Sequence, residues 1–341
     1  MPFARCAIAA LLCACGVAAK SAPATRALGP ADCQSGDSFG SANGAPVCRA
    51  PSGMPRLTNI FVIVMENSSL STVRDSDDAP YLNGLMQSWA WSSNYHGVAH
   101  PSLPNYLALA SGETQGALCD CQPTGSACDL WSCNPLSGSC GCPKEARHLA
   151  DDLESAGLTW RAYGEDMGSP CNLTASGNYA PKHVPFLYFQ DLQSNPARCS
   201  GSVVDFSSFG GDLASGPPSF AFIAPNLIDD MHSPFPASST NLRHGDGWLA
   251  KNVPPILASS AFQQGGLLAI VWDEDDFSGA LDPDGPVPLI VLSPLAQQGG
   301  YQSVARADHY SLLATIEDGL GLPRLGHAAE ATPLVDLFPA R

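Results

Sequence analysis

The sequence predicts an α/β fold: a mostly parallel central sheet with helices on both faces, carrying one disulfide-rich loop insertion. Three observations predict it. Short apolar runs of strand length alternate with segments of helical pattern. Several of those runs end in acidic or amide residues, at the strand ends where parallel sheets gather their ligands. The chain has 341 residues, 45% of them hydrophobic, which is enough to bury a large core.

In chain order, residues 59–65 (NIFVIVM) form a buried-strand run ending in Glu66 and Asn67. Residues 80–91 read as a helix, and a second helix begins at Ser102. Residues 146–156 are helical in pattern. Residues 158–163 form a short strand running into Gly164, Glu165 and Asp166, and residues 219–224 another running into Pro225 and Asn226. Residues 247–262 read as a helix interrupted by Pro254 and Pro255, which lack the amide a helical ladder needs. Residues 267–272 are a strand ending in Asp273, Glu274, Asp275 and Asp276, and 287–292 are the next strand. The helix at 310–320 stops at Gly321 and Pro323.

Charged residues make up only 14%, with 32 glycines and 30 prolines, so a globular chain with many loops is expected. The formal charge of −16 disfavours nucleic acid and anionic lipid as partners. At the N-terminus Arg5 precedes an apolar run over 6–19, and Ser21, Ala22, Pro23 and Ala24 offer a small-residue cleavage site. Residues 1–24 are therefore expected to be a signal peptide. Leu12, Cys13, Ala14 and Cys15 also resemble a lipobox, which would put a lipid anchor on Cys15. Either reading exports the mature chain, to a secreted or periplasmic location. No later apolar run is long enough to span a bilayer, so no stable membrane insertion is expected. Residues 25–55 read as a loose extension that Cys33 and Cys48 could tie, and residues 56–341 as the main domain.

Of 13 cysteines, Cys6, Cys13 and Cys15 fall in the leader, which leaves an even number. Cys119, Cys121, Cys128, Cys133, Cys140 and Cys142 crowd an insertion at 119–142. A zinc knuckle is the rival reading, but the stretch holds no Cys-x-x-Cys pair and no histidine, and exported chains are oxidised. Disulfides are expected there, with a role in stability, about 15 Å from the start of the Ser102 helix.

Ser102 stands where HPSLPNYLALASG (100–112) turns from a Pro-rich stretch into a helix. Pro104 is tolerated in a first turn, whose amides have no intrahelical acceptor. The bland reading of Ser102 is an N-cap. The functional reading is a nucleophile facing free amides and the positive end of the helix dipole. The acidic strand ends favour the second. Glu66, Asp273 and Glu274 with Ser102 make an oxygen-rich site for a divalent metal, which would lower the serine pKa and offset a bound phosphate. Asn105 could donate to a phosphate oxygen, and His183 and His232 could donate or act as general acids. His96 and His100 are expected to shape the turn, His309 to cap a helix or lie on the surface, and Asp275 with Asp276 to form a solvated turn.

The string VIVMEN at 62–67 resembles the opening motif of the bacterial and fungal phosphoesterase family, which holds secreted acid phosphatases and phospholipases C and belongs to the alkaline-phosphatase-like superfamily. The resemblance runs over roughly 58–325. It takes in HPSLPNYLALASG, GEDM (164–167), KHVPF (182–186), APNLIDDMH (224–232), GDGWL (245–249), VWDEDD (271–276) and HYSLLATIEDGLGLP (309–323). It is strongest to secreted acid phosphatases of the mycobacterial type. The resemblance implies that Glu66, Asn67, Ser102, Asp273 and Glu274 surround the metal and that Ser102 is the nucleophile. It places Asn105, His183, Asp230 and His232 in the substrate pocket. Two-metal relatives carry Asp-His at the last strand where this chain has Asp273-Glu274, so one metal is expected. The function this implies is an exported metal-dependent phosphatase acting on small phosphate monoesters through a phosphoserine. A phospholipase C-like phosphodiesterase is the first alternative, and a non-catalytic exported binding protein on the same fold the second. A sulfatase is disfavoured because the Cys- or Ser-x-Pro-x-Arg motif is absent.

Overall fold

A computed structural model describes residues 28–125, 142–232, 239–276 and 285–339. The expected leader with Cys15, and Cys128, Cys133 and Cys140 of the insertion, lie outside the described residues. The strands are β1 (Ser38–Ala42), β2 (Ala45–Arg49), β3 (Ile60–Met65), β4 (Ala90–Ser92), β5 (Tyr95–His96), β6 (Trp160–Gly164), β7 (Val203–Asp205), β8 (Phe220–Ala224), β9 (Leu267–Trp272), β10 (Leu289–Leu292), β11 (Gln302–Ser303) and β12 (Ala307–Asp308). Eight of them form one sheet in the order β11-β4-β10-β9-β3-β8-β6-β7. The run from β9 through β3, β8 and β6 to β7 is parallel, while β10 is antiparallel to both of its neighbours.

The central strand explains the layers. All six residues of β3 are buried, which requires cover on both faces. On one face Ile60 lies beside Gly319 of the helix His309–Leu320. On the other, Phe61 meets Phe209, at the start of the helix Phe209–Ser215, edge to face at 6.4 Å. The helix Ser102–Ser111 shares the Ile60 face: Tyr106 packs edge-on against Phe222, whose register partner on β3 is Val62.

Two expectations about elements are corrected. Pro254 and Pro255 do not break their helix, which runs through Ser239–Ala258. Its buried Leu242, Leu249, Val253 and Ile256 recur at helical spacing, and that burial outweighs the lost backbone bonds. The N-terminal segment is not loose from residue 28 onward. Strands β1 and β2 form a hairpin whose turn residues Asn43 and Gly44 both have positive φ, as a two-residue Asn-Gly turn requires. The Cys33–Cys48 disulfide closes it, and buried Arg49 donates to the Pro339 carbonyl at 2.9 Å. A second disulfide joins Cys171 to Cys199.

Because β3, β8, β9 and β6 are parallel, Glu66, Asn226, Asp273 and Glu165 all leave the same edge of the sheet. The function-bearing residues meet there.

Candidate active site

Ser102 is the first residue of its helix, and it is 2% exposed. It has no side-chain bond to a helix amide. Its hydroxyl lies 3.1 Å from Glu66 Oε2 and 3.1 Å from Glu274 Oε1. The capping reading therefore does not describe its contacts. The Asn67 amide donates to Asp273 Oδ1 at 3.2 Å, and its side-chain Nδ2 donates to Glu274 Oε1 at 3.4 Å. Asn67 has φ +40°, a left-handed conformation that turns the chain sharply off β3. The structure thus brings together Glu66, Asn67, Ser102, Asp273 and Glu274 from three separate stretches of chain.

Backbone bonds fix these groups. The Glu66 amide donates to the Asp230 carbonyl at 2.7 Å, and the Asp273 amide donates to the Met65 carbonyl at 3.1 Å, which extends the β3–β9 ladder into the site. Gly97 lies against this backbone: a Cβ there would meet the Asp273 carbonyl at 2.8 Å. The loop leading to Ser102 needs that closeness.

Burial pushes the Glu66 carboxyl well up, and the Asp273 charge pushes it further. Burial raises Asp273 too, with Glu274 adding to the effect, and burial raises Glu274. Asp273 Oδ2 and Asn67 Oδ1 are buried with no hydrogen-bond partner. Buried oxygens are normally satisfied. Three gathered carboxylates, with Asp273 Oδ2 and Asn67 Oδ1 unpartnered among them and, among the described residues, no lysine or arginine bonded to any of the three, are the donor set of a hard divalent cation. The residues present fit a metal.

The expected pocket residues are also close. His183 lies with Nε2 3.2 Å from Glu66 Oε1 and Nδ1 3.5 Å from Asp230 Oδ2, stacked on Tyr106 at 5.2 Å. Burial, then the charges of Lys182 and His232, hold its pKa well below the usual value, so it is a neutral imidazole. Asp230 Oδ1 accepts from the His232 amide at 2.6 Å, and its Oδ2 has no hydrogen bond. Burial and Lys182 lower His232 to about 4.

Asn105 is placed differently from expectation. Its Nδ2 donates to the Ala99 and Pro101 carbonyls at 2.7 and 3.2 Å, and its Oδ1 accepts from the Val98 and Ala99 amides at 2.8 and 3.1 Å. Fully buried, it spends its amide on the loop before Ser102 and holds that loop in place.

Other expectations also change. His309 neither caps nor faces solvent: it is fully buried and neutral, its pKa lowered to about 4 by burial. A carbonyl only accepts, so Nε2–H donates to the Asp273 carbonyl at 2.6 Å, and Nδ1 accepts from the Tyr95 hydroxyl at 2.8 Å. Asp308 is the cap. Asp275 and Asp276 are buried, and Asp276 accepts from Ser69 and Thr72 at 2.6 and 2.8 Å. His100 does more than shape the turn, since its Nδ1 contacts Glu274. Tyr106 donates to Glu66 Oε1 at 2.6 Å. The insertion does not stay at the far end of the helix either. Asp120, between Cys119 and Cys121, reaches the start of the Ser102 helix, where its Oδ1 accepts from the Leu103 amide at 3.0 Å and its Oδ2 from Lys182 at 2.7 Å. Cys119 is disulfide-bonded, and the Cys121 and Cys142 sulfurs lie 2.8 Å apart.

A serine at a helix start faces carboxylates from the ends of adjacent parallel strands, on an alkaline-phosphatase-like fold. The chain belongs to the phosphoesterase family, whose model matches residues 59–323, and it is a phosphoric ester hydrolase. A phosphatidylinositol-3-phosphatase from Mycobacterium tuberculosis is 31% identical over 85% of this chain and 85% of its own. An acid phosphatase from Aspergillus fumigatus is 28% identical over 69% of this chain, which spans 49% of that relative's length. Among solved structures, a protein of the alkaline phosphatase superfamily from Vibrio parahaemolyticus aligns with a TM-score of 0.52 at 12% identity, over 80% of this chain and 69% of that one. A sulfatase from Pseudoalteromonas sp. aligns at 0.54 and 11%, over 84% and 72%. These two show the fold alone.

Proposed function

We propose that the chain is an exported, metal-dependent phosphomonoesterase that works through a phosphoserine on Ser102. The observation that carries this reading is the Ser102 hydroxyl, 3.1 Å from both Glu66 and Glu274 at the start of a helix. Glu66, Asn67, Asp273 and Glu274 with Ser102 would hold one divalent ion. When bound, that ion would favour the serine alkoxide and offset the phosphate's charge.

The remaining chemistry belongs to the chain. Ser102 Oγ forms a bond to phosphorus as the ester P–O bond breaks; its hydroxyl proton passes to Glu66 or Glu274, the carboxylates it contacts, and the leaving alkoxide takes a proton from water. Water then adds to the phosphoserine, the Ser–O–P bond breaks, and inorganic phosphate leaves. His183 and His232 line the pocket as neutral donors to the ester oxygens. Asp230 orients His183, and His309 and Asn105 hold the Asp273 and Ser102 backbones. Monoesters are favoured because the Mycobacterium tuberculosis relative is named for removing a phosphate monoester from a lipid headgroup, and fungal relatives are acid phosphatases. Export is supported by the leader-like residues 1–24 and by the Cys33–Cys48 and Cys171–Cys199 disulfides, since such bonds persist in oxidising compartments. Among the described residues no helix is long and apolar enough to cross a membrane.

A substrate panel tests the reading. Hydrolysis of p-nitrophenyl phosphate faster than bis-p-nitrophenyl phosphate supports it, and the reverse order moves the phosphodiesterase reading ahead. Phosphatidylinositol 3-phosphate belongs in the same panel. Acid quenching during turnover should leave phosphate on the peptide that contains Ser102.

A further inference from the structure

We propose that Lys182 is the cation that receives the substrate's phosphate beside Ser102, and that Asp120 of the cysteine-rich loop is the positioning residue that holds it there. The proposal rests on the phosphatase reading above. One carboxylate makes the link. Asp120 Oδ1 accepts from the amide of Leu103, the residue after Ser102, while Oδ2 accepts from the Lys182 ammonium. Lys182 is thereby fixed one carboxylate's width from the backbone that carries the nucleophile. The short turn Pro181–His183 delivers it together with His183, whose ring faces Glu66.

Charge explains the need for it. Glu66, Asp273, Glu274 and Asp230 all repel a phosphate. The Lys182 charge favours the ionised forms of Glu66, Asp273 and Asp230, so it offsets part of the cluster's charge. It also faces outward. Its side chain is 22% exposed and lines a cavity of about 420 Å³ with Asp120, Tyr179 and Leu227. Asp120 takes one of its three donors and no other acceptor is hydrogen-bonded to it among the described residues. An ion pair that served the fold alone would need neither the cavity nor the spare donors.

The loop is built to keep Asp120 still. Cys119 on one side is disulfide-bonded, Cys121 on the other meets Cys142, and the Tyr188 hydroxyl donates to the Cys121 carbonyl. The disulfide-rich insertion then serves the site as well as stability.

The test measures inorganic phosphate, as product inhibitor by kinetics and as ligand by calorimetry. Lys182→Met should raise the phosphate Ki and the p-nitrophenyl phosphate KM by about 10–100-fold, the range of one charge-assisted hydrogen bond, with a smaller change in kcat. Lys182→Arg should restore most of the loss. Asp120→Asn keeps an acceptor for the Leu103 amide and should raise the same two constants by a smaller factor. A folded Lys182→Met protein with unchanged phosphate affinity overturns the proposal. If that variant does not fold, Lys182→Gln is read in the same way, and failure of both to fold makes Lys182 a structural residue and also overturns it. Turnover by the wild type and its loss in Ser102→Ala judge the phosphatase reading separately. Calorimetry on Ser102→Ala with and without Lys182→Met judges this proposal without turnover.

Discussion

Two acid-rich clusters in this molecule look alike in composition and differ in what completes them. In the first, Glu66, Asp273 and Glu274 gather around Ser102, and Asp273 Oδ2 has no partner. In the second, His148, Asp151 and Asp191 bring ligand atoms within 4.8 Å of one another, a spacing that would also suit a metal. The second cluster, however, holds its own cation. Arg198 donates to Asp151 at 2.7 Å, to Glu154 at 3.0 Å and to Asp191, and it lowers Asp191 together with His148. Its carboxylates lie 25–41% exposed, whereas those around Ser102 are buried. Proximity of acids therefore does not make a site. Buried oxygens left unpartnered beside a reactive group do.

The largest effect expected from this comparison is on Ser102. Ser102→Ala should lower turnover by about three orders of magnitude or more with little change in Tm, because a nucleophile is lost and no cap bond is broken. Near-normal turnover with a lowered Tm would return Ser102 to a structural role. Next comes metal content. Asp273→Asn should lose bound divalent ion and activity together, while Asp191→Asn should leave both unchanged. Metal analysis of the purified variants checks this, and full activity after exhaustive chelation would break the distinction. In the second cluster, Arg198→Met should reverse the pattern. Three partly exposed carboxylates lose their cation, so Tm should fall by about one to three degrees while kcat/KM is kept. A loss of activity without a loss of stability would show that the two clusters are coupled.

Much of the first cluster was legible in sequence because it is local. Glu66 and Asp273 each follow directly on a strand, and strands of a parallel sheet end at one edge. The helix at 102–111 was legible from its Pro-rich start and apolar run. What could not be read depends on side chains that meet across long separations. Asp120 and Lys182 are brought together only by the fold, and the cysteine-rich stretch around Asp120 masked it as a stabilising loop. His309 follows Asp273 by 36 residues, with β10, β11 and β12 between them. Asn105 follows Ser102 by three residues, one helical turn along, yet its amide closes on the chain just behind it. The Asn43-Gly44 turn, by contrast, carried a readable hairpin signal that a composition-level reading of 25–55 passed over. Pro254 and Pro255 show the opposite error, a local rule overruled by tertiary burial.

Glu317 sharpens the comparison from a third side, with the smallest effect. It is fully buried on the helix His309–Leu320, its Oε1 accepts from the Leu325 amide at 2.9 Å, and its Oε2 has no partner. An unpartnered oxygen alone would suggest a ligand, but among the described residues no other carboxylate is hydrogen-bonded to it, and Asp152 and Asp318 act on it only through their charge. Burial raises its pKa to about 9, so the folded chain keeps it protonated near neutral pH. The sign follows from linkage. Below the unfolded pKa of roughly 4.5 both states are neutral, and this group costs nothing. As pH rises above that value the unfolded chain ionises while the folded chain does not, so stability falls until the folded group titrates near 9. Glu317→Gln keeps an acceptor for the Leu325 amide and removes the titration. Its Tm should match the wild type near pH 4 and exceed it by a few degrees at pH 8, with metal content and kcat/KM unchanged. Parallel Tm curves for the two proteins from pH 4 to 9 would show that Glu317 is ionised in the fold, and would return its free oxygen to the class of candidate ligands.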